Sequence, residues 1–259
     1  MGLFICFKYI NDAIANLEYQ ADDPNNRKYT YTNLGTWSSA SDVDTFLSRF
    51  NRSNGYKDGN TKLSVGNYVT IQDGTYNKVW EIAGFDMESN QLAADGTTYD
   101  NGYGICMIPH TQVTTGSWNS SDTTTGGYKS SYIHTTILPN IVTKLKTILG
   151  SHIVQRNVLL SSSVSSSNSN AYTWTTAHAT LMSIGQMTST FAANDNKYDD
   201  GEANYKLPIF NSKEYKTGSD FWSRGVYDIS EAWFVYRQNG LGHSHAGYSC
   251  GVRPLIYLR

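Results

Sequence analysis

One long helical pattern constrains this chain more than any other feature of its sequence. Apolar side chains recur at every third or fourth position between residues 133 and 149, and Gly150 follows where a helix C-cap belongs. Pro139 falls inside the pattern and either kinks the helix or marks a restart at its first turn. The pattern predicts one amphipathic helix with a continuous apolar face.

Most other apolar segments are short and alternate with a period of two, which is typical of half-buried strands. Such strands are predicted over residues 63–71, 79–83, 105–108, 153–160, 221–224, 232–236 and 251–258. Loops rich in Thr, Ser and Gly are expected over 111–129 and 161–170. Few long helices and many short strands indicate the α+β class.

The first sixty residues have a different pattern. A short helix is predicted over residues 7–17, and a second helix is predicted with Ser41 as its N-cap and Asp44 in the capping-box position. The apolar face of this second helix consists of Val43, Phe46, Leu47 and Phe50. We therefore divide the chain into an N-terminal attachment or assembly region, residues 1–60, and a main domain, residues 61–259.

Charge excludes several classes of partner. Lys and Arg number 20 against 22 Asp and Glu, and charged residues make up 16% of the chain, whereas about a quarter is usual. This balance provides no basic patch for nucleic acid. No apolar run approaches the roughly 18 residues of a membrane span. Residues 1–7 lack the basic region and cleavage site of a signal peptide.

The residues that replace charge are 19 Tyr, 6 Trp, 22 Gly and many Ser, Thr and Asn. This composition is typical of a recognition surface, because Tyr offers a large contact area while Ser, Gly and Asn offer adaptable hydrogen bonds. It is equally typical of a β-rich protein with long loops. Composition leaves both interpretations open.

Few residues form a pattern that is typical of a catalytic or metal-binding site. No nucleophile-elbow, zincin, Walker or Rossmann motif occurs in the sequence, so we do not expect an enzyme and assign no cofactor. Cys6, Cys106 and Cys250 are widely spaced, which favours buried free thiols over a disulfide framework or a zinc site.

Two segments are weak metal candidates. Segment 195–202 has acidic residues around a Gly, as Ca²⁺ sites do, but the spacing is not that of an EF-hand, and a solvated loop is favoured. His243 and His245 would share one face of a strand and could hold a metal ion together. The glycines around them favour a flexible loop instead, so no metal is assigned.

The order of the segments resembles a known family. The matching segments are 79–86, 105–110, the long helix, 181–183, 205–210, Phe221-Trp222-Ser223-Arg224 and Gly251-Val252-Arg253-Pro254-Leu255-Ile256. They resemble an uncharacterised domain family of gut bacteria and their phages, similar to the C-type lectin-like fold. That fold also occurs in phage variable receptor-binding proteins and formylglycine-generating enzymes. Cys250 lacks the nearby second cysteine of those enzymes, so their activity is not carried over.

Large side chains in the matching segments have an expected structural role. Trp222 and Trp233 are large enough to anchor a sheet against the long helix. Arg224 and Arg253 would need carboxylate or carbonyl partners in so apolar a setting. In lectin-like folds, the loops between such strands carry the binding. The aromatic residues expected to face outward are Trp118, Tyr128, Tyr172, Trp174, Tyr227, Tyr236 and Tyr248.

These observations predict a non-enzymatic virion protein of a bacteriophage, either a capsid-surface decoration or fibre or a tail component. Its lectin-like domain would bind a glycan or protein of the host surface. Residues 1–60 would attach it to other virion subunits, and a homo-oligomer is expected. The alternative is a bacterial adhesin or carbohydrate-binding module, located outside the cell or on its surface.

Overall fold

The computed structural model describes residues 23–25, 27–87, 104–165, 168–188, 206–211, 220–235 and 240–259, without the side chains of 165, 168–170, 188 and 233–235. Three α-helices lie within these ranges: α1 (Ala40–Arg49), α2 (Leu138–Leu149) and α3 (Ile184–Thr188). The strands in chain order are β1 (Asn33–Trp37), β2 (Lys57–Asp58), β3 (Thr61–Lys62), β4 (Tyr68–Asp73), β5 (Tyr76–Phe85), β6 (Ile105–Pro109), β7 (Thr114–Ser117), β8 (Arg156–Ser165), β9 (Asn168–Ala177), β10 (Ala179–Leu181), β11 (Phe221–Val226), β12 (Glu231–Val235), β13 (Leu241–His245), β14 (Ser249–Val252) and β15 (Pro254–Leu258).

The larger sheet has six strands in the order β1-β4-β5-β6-β15-β10. Strand β1 is parallel to β4, and the other pairs are antiparallel. Helix α2 lies against β4 and β10, and its residues Leu145, Ile148 and Leu149 are fully buried. The predicted helix and the α+β class are therefore confirmed, but the helix packs on β4 and β10 of this sheet rather than on the strands that carry Trp222 and Trp233.

A second sheet has five strands in the order β13-β12-β11-β14-β7. Two neighbouring pieces of chain pass from one sheet to the other, since β6 pairs with β15 in the large sheet while β7 pairs with β14 in the second. The ladder continues through the crossing, where Val113 N donates to Val252 O. Arg253 lies at this junction, between β14 and β15.

Of the three predicted helices, the two that lie within the described residues form, with two adjustments. Helix α1 begins two residues earlier than expected, because Asp42 rather than Asp44 closes the cap by accepting from the backbone N–H of Ser38 and Ser39 at 2.7 and 2.9 Å. The turn before α2, Ile133–Ile137, is π-helical, and Leu138 N donates to the carbonyl of Ile133. The proline at the first turn of α2 therefore marks a restart, as one alternative predicted.

Three segments expected to be loops contain strands. Residues 161–165 and 168–170 belong to the β8-β9 hairpin, although a solvated loop was predicted there. Residues 114–117 form β7 inside the predicted loop 111–129. Residues 241–245 form β13 where glycines favoured a flexible loop. In each case the sequence has too few apolar residues to indicate a strand. The strand forms because a neighbouring strand satisfies its backbone hydrogen bonds.

The packing does not break at residue 60. Strand β1 is an edge strand of the large sheet, and Trp37, Val43, Phe46 and Phe50 belong to the same core cluster as the residues of β4, β5 and β6. The helix predicted over 7–17 lies outside the described residues. No helix in the described ranges is long and apolar enough to cross a membrane.

Candidate functional site

A groove of about 500 Å³ lies between β7 and the helical segment formed by the π-helical turn and α2. We call it the β7 groove. Its wall on the strand side consists of Val113, Thr114, Thr115, Gly116, Ser117 and Ser249. Its helical side and floor consist of Tyr76, Tyr132, Ile137, Asn140, Ile141 and Lys144. Hydroxyl, amide, aromatic and aliphatic groups thus share one concave surface.

Local sequence explains the shape of the β7 groove. Strand β7 is the last strand of its sheet, so it faces the helical segment rather than another strand. Gly116 lets Ile137 approach closely, because a Cβ added at Gly116 would lie 2.4 Å from Cδ1 of Ile137. Ser249 pairs with Ser117 across the β14-β7 ladder, which adds the hydroxyl of a neighbouring strand to the wall.

The groove carries little charge. Lys144 is the charged residue among those described along its walls, and no carboxylate lies there. Burial raises the pKa of Tyr76 to about 12, so its phenol stays neutral, and its hydroxyl accepts from Trp80 Nε1 at 3.1 Å. The ring of Tyr132 is 41% exposed at the rim. The site therefore offers neutral hydrogen-bonding groups and one cation around an accessible aromatic ring.

Two aromatics expected to face outward are instead buried. Trp118 is fully buried and its indole N–H donates to Ser223 O at 3.2 Å. Tyr128 is also buried, and its hydroxyl accepts from Leu181 N at 2.7 Å. The prediction of outward-facing rings is wrong for both. Each ring packs in the core, and its polar atom makes a hydrogen bond to a buried backbone group, as buried Trp and Tyr usually do.

Tyr227, Tyr248, His243 and His245 come together around β13, where they form a surface that we call the histidine face. The ring of Tyr227 stacks on His243 at 3.6 Å with an interplanar angle of 2°, and His245 lies 5.8 Å from Tyr248. Tyr248 is 62% exposed and directly precedes Ser249 of the β7 groove. The expected outward position holds for Tyr248.

The histidine face does not assemble a metal site in the described part of the chain. His243 and His245 alternate on β13 and so share one side of the strand. Nδ1 of His243 is hydrogen-bonded to Glu231 Oε2 at 2.6 Å. No group of three or more His, Cys, Asp or Glu side chains that could hold a metal ion occurs among the described residues. Segment 195–202 lies outside them.

The other expected binding residues lie apart from the groove. Tyr172 and Trp174 alternate along β9, and Trp174 is 41% exposed. Tyr236 lies outside the described residues. Trp233 lies in β12, but its side chain is outside the described part.

Trp222, Arg224 and Arg253 are buried. Trp222 Nε1 donates to Gly116 O at 2.9 Å, which ties β11 to β7 beneath the groove. Nε and an Nη atom of Arg253 donate to Pro109 O at 3.0 and 2.8 Å, so the partner is a carbonyl, one of the two kinds expected. The guanidinium also lies over the ring of Phe221, 4.8 Å from its centroid.

A histidine–carboxylate pair was not predicted from the sequence. Nδ1 of His110 lies 2.9 Å from Oε1 of Glu81, whose side chain is fully buried while the imidazole is partly exposed. The ring of Tyr31 lies 5.7 Å from that of His110 and stacks on Tyr68. The sequence feature that could have indicated this pair is the single Glu inside the apolar run Val79-Trp80-Glu81-Ile82. The pair fixes the orientation of the His110 imidazole.

Comparisons of this chain with protein-family models, curated proteins and solved structures gave no match. The assignment of a functional site therefore rests on the geometry of the chain itself.

Proposed function

We propose that this chain is a non-enzymatic binding protein that recognises carbohydrate through the β7 groove. The observation that carries the proposal is the composition of that groove. It combines an exposed tyrosine ring, an amide and several hydroxyls in about 500 Å³. A pocket of this volume lies within the usual range for small-ligand sites.

The chemistry of the groove matches a sugar better than an apolar ligand. A sugar presents many hydroxyls, which both donate and accept hydrogen bonds, and Asn140, Thr115 and Ser249 offer the same dual capacity. A sugar also has an apolar C–H face, which packs well on an aromatic ring such as that of Tyr132. The described residues of the groove include no carboxylate, histidine or cysteine that could supply acid–base or nucleophilic chemistry.

Within this proposal, the main domain has the C-type lectin-like fold, and the protein is a bacteriophage virion component on the capsid surface or the tail. The support is the Trp-x-Arg and Val-Arg-Pro segments together with the mixed α+β architecture. The N-terminal residues attach the domain to other virion subunits, in a homo-oligomer. A bacterial adhesin or carbohydrate-binding module is the alternative that uses the same groove.

Two measurements test the proposal. Incubation of the purified protein with a glycan array is expected to give binding to a defined subset of glycans. Mass spectrometry of purified phage particles is expected to detect the protein. An array without any binding contradicts carbohydrate recognition, and absence from particles contradicts the virion role and leaves the adhesin alternative.

A further inference from the structure

The β7 groove has two ends of different chemistry. At one end, the backbone N–H of Ile133 donates to Trp118 O, which brings Tyr132 to the Ser117 end of β7. The ring of Tyr132 is 41% exposed there, and the hydroxyls of Ser117 and Ser249 line the wall beside it. This end offers an aromatic face and neutral hydroxyls, and we call it the aromatic end.

The other end lies at Tyr76 and Lys144. Asp73 pairs with Tyr76 in the β4-β5 ladder, and its carboxylate accepts from Oγ1 of Thr147 in α2 at 2.9 Å. This contact holds the second half of α2 against the β4-β5 turn, so Lys144, which precedes Thr147 by three residues, reaches the groove beside Tyr76. Lys144 is exposed, and none of the described carboxylates forms an ion pair with its ammonium.

A second lysine lies next to this end. Lys78 Nζ donates to Gln112 O at 3.2 Å, and Gln112 directly precedes Val113 of the groove wall. Lys78 follows Tyr76 by two residues in β5, so the two side chains share one side of the strand. The carboxylate of Asp73 is turned to α2 and does not line the groove. The end near Tyr76 is therefore positively charged, and we call it the basic end.

The two ends are too far apart for one sugar ring to reach both. The helical segment from Tyr132 to Lys144 rises by about 18 Å at 1.5 Å per residue. Ile137, which packs on Gly116, lies between them. A ligand that contacts the aromatic end and the basic end together therefore consists of more than one sugar ring.

We propose that the β7 groove selects oligosaccharides that carry an acidic group. This inference rests on the proposed carbohydrate recognition and specifies the class of sugar. The apolar face of one sugar ring packs on Tyr132, and the acidic group of another accepts from the ammonium of Lys144. A lysine ammonium is a compact charge without the fixed fork of arginine, so it binds a carboxylate or a sulfate.

Matched pairs of glycans test the proposal. The array carries carboxylated glycans with their methyl esters and sulfated glycans with their desulfated forms, and each bound glycan is then titrated calorimetrically into the whole chain. We expect at least one acidic glycan to bind about three- to tenfold more tightly than its neutral counterpart, as one partly exposed charge contact allows. The preference should shrink as salt is added, because salt screens such a contact. The series that shows it identifies the acidic group.

Lys144→Met should abolish this preference. It should weaken binding of the acidic glycan about three- to tenfold and leave binding of the neutral counterpart unchanged. Lys146→Met is the matched control, since Lys146 lies in the same helix and its Nζ is 2.9 Å from His178 Nε2, away from the groove wall. Both lysines are exposed, so both variants should fold as wild type does.

The outcomes separate this inference from the proposed function. Binding of neutral glycans alone, or an unchanged preference for acidic glycans in Lys144→Met, overturns the acidic class and leaves carbohydrate recognition standing. The same loss in Lys146→Met as in Lys144→Met also overturns it, because the charge at the groove would then have no special role. An array without any binding overturns both.

Discussion

At the scale of single residues, His134 links burial to the pH dependence of stability. Burial, together with the nearby charges of Arg224 and Lys129, lowers the pKa of His134 to about 4, whereas the value in an unfolded chain is about 6.5. Between these values the unfolded chain binds a proton that the folded chain does not. Stability therefore falls as the pH falls through this window, and the loss is complete below about pH 4.

Replacing His134 by Gln should flatten this dependence. We expect the wild-type chain to lose about 1–3 kcal/mol of unfolding free energy between pH 7 and pH 4 through this residue, and His134→Gln to lose correspondingly less. Urea unfolding at several pH values measures the difference. His245→Gln, at an exposed position, should keep the wild-type slope. Equal slopes for wild type and His134→Gln would show that His134 is not held neutral.

Cys250 should react slowly despite its partial exposure. Burial raises the pKa of its thiol to about 11, so very little thiolate exists at neutral pH. Cys106 is buried completely. Alkylation at pH 7.5 followed by peptide mass spectrometry should label both thiols much faster in urea than in the folded protein. Rapid labelling of Cys250 in the folded state would contradict this environment.

At the scale of elements, Gly251 sets the distance between β11 and β14. A Cβ at this position would lie 2.4 Å from the backbone oxygen of Asp220 and 2.5 Å from Oε1 of Gln112. Gly251→Ala should therefore destabilise the protein by about 1–3 kcal/mol, as overpacking does. Ser249→Ala, on an exposed residue of the same strand, should change the unfolding free energy by less than about 0.5 kcal/mol. Equal effects of the two variants in denaturant melts would rule out the close approach.

The elements that could be predicted are those whose apolar periodicity is strong. Helix α2 and strands β4, β5 and β6 follow directly from their patterns of side chains. The outer part of the β8-β9 hairpin could not be predicted, because a run of Ser and Asn has no apolar alternation and depends on its partner strand. Strands β7 and β13 were missed for the same reason.

At the scale of the whole molecule, Arg253 joins the two sheets at the crossing. Its guanidinium donates to Pro109 O. Burial lowers the pKa of Arg253 to about 10, and the negative charge of Glu81 opposes part of this shift. Arg253→Met should cost about 3–5 kcal/mol, because the buried Glu81 loses a compensating charge. Adding Glu81→Gln should recover at least about 1 kcal/mol.

A control arginine separates this effect from loss of charge alone. Arg49 is about half exposed, so Arg49→Met should change the unfolding free energy by less than about 0.5 kcal/mol. No recovery in the Arg253→Met, Glu81→Gln double variant would show that the charges of Glu81 and Arg253 do not compensate each other.

The candidate site could be predicted only in part. Composition was equally compatible with a recognition surface and with a β-rich protein with long loops, and it could not distinguish the buried rings of Trp118 and Tyr128 from the exposed rings of Tyr132 and Tyr248. The β7 groove requires the pairing of β7 with β14 and the position of the π-helical turn. The pairing of β7 with β14 and the packing of that turn beside β7 both join residues that are distant in the sequence, so no local motif indicates them.

The most direct test of carbohydrate recognition is a calorimetric titration of the best array glycan into wild type, Tyr132→Ala and Tyr31→Ala. Both tyrosines are about half exposed, but only Tyr132 lines the groove. We predict that Tyr132→Ala weakens binding about five- to tenfold, since a ring contact of this kind contributes about 1 kcal/mol, while Tyr31→Ala binds as wild type does. Unchanged binding in Tyr132→Ala, or equal loss in both variants, would contradict a carbohydrate site in the β7 groove.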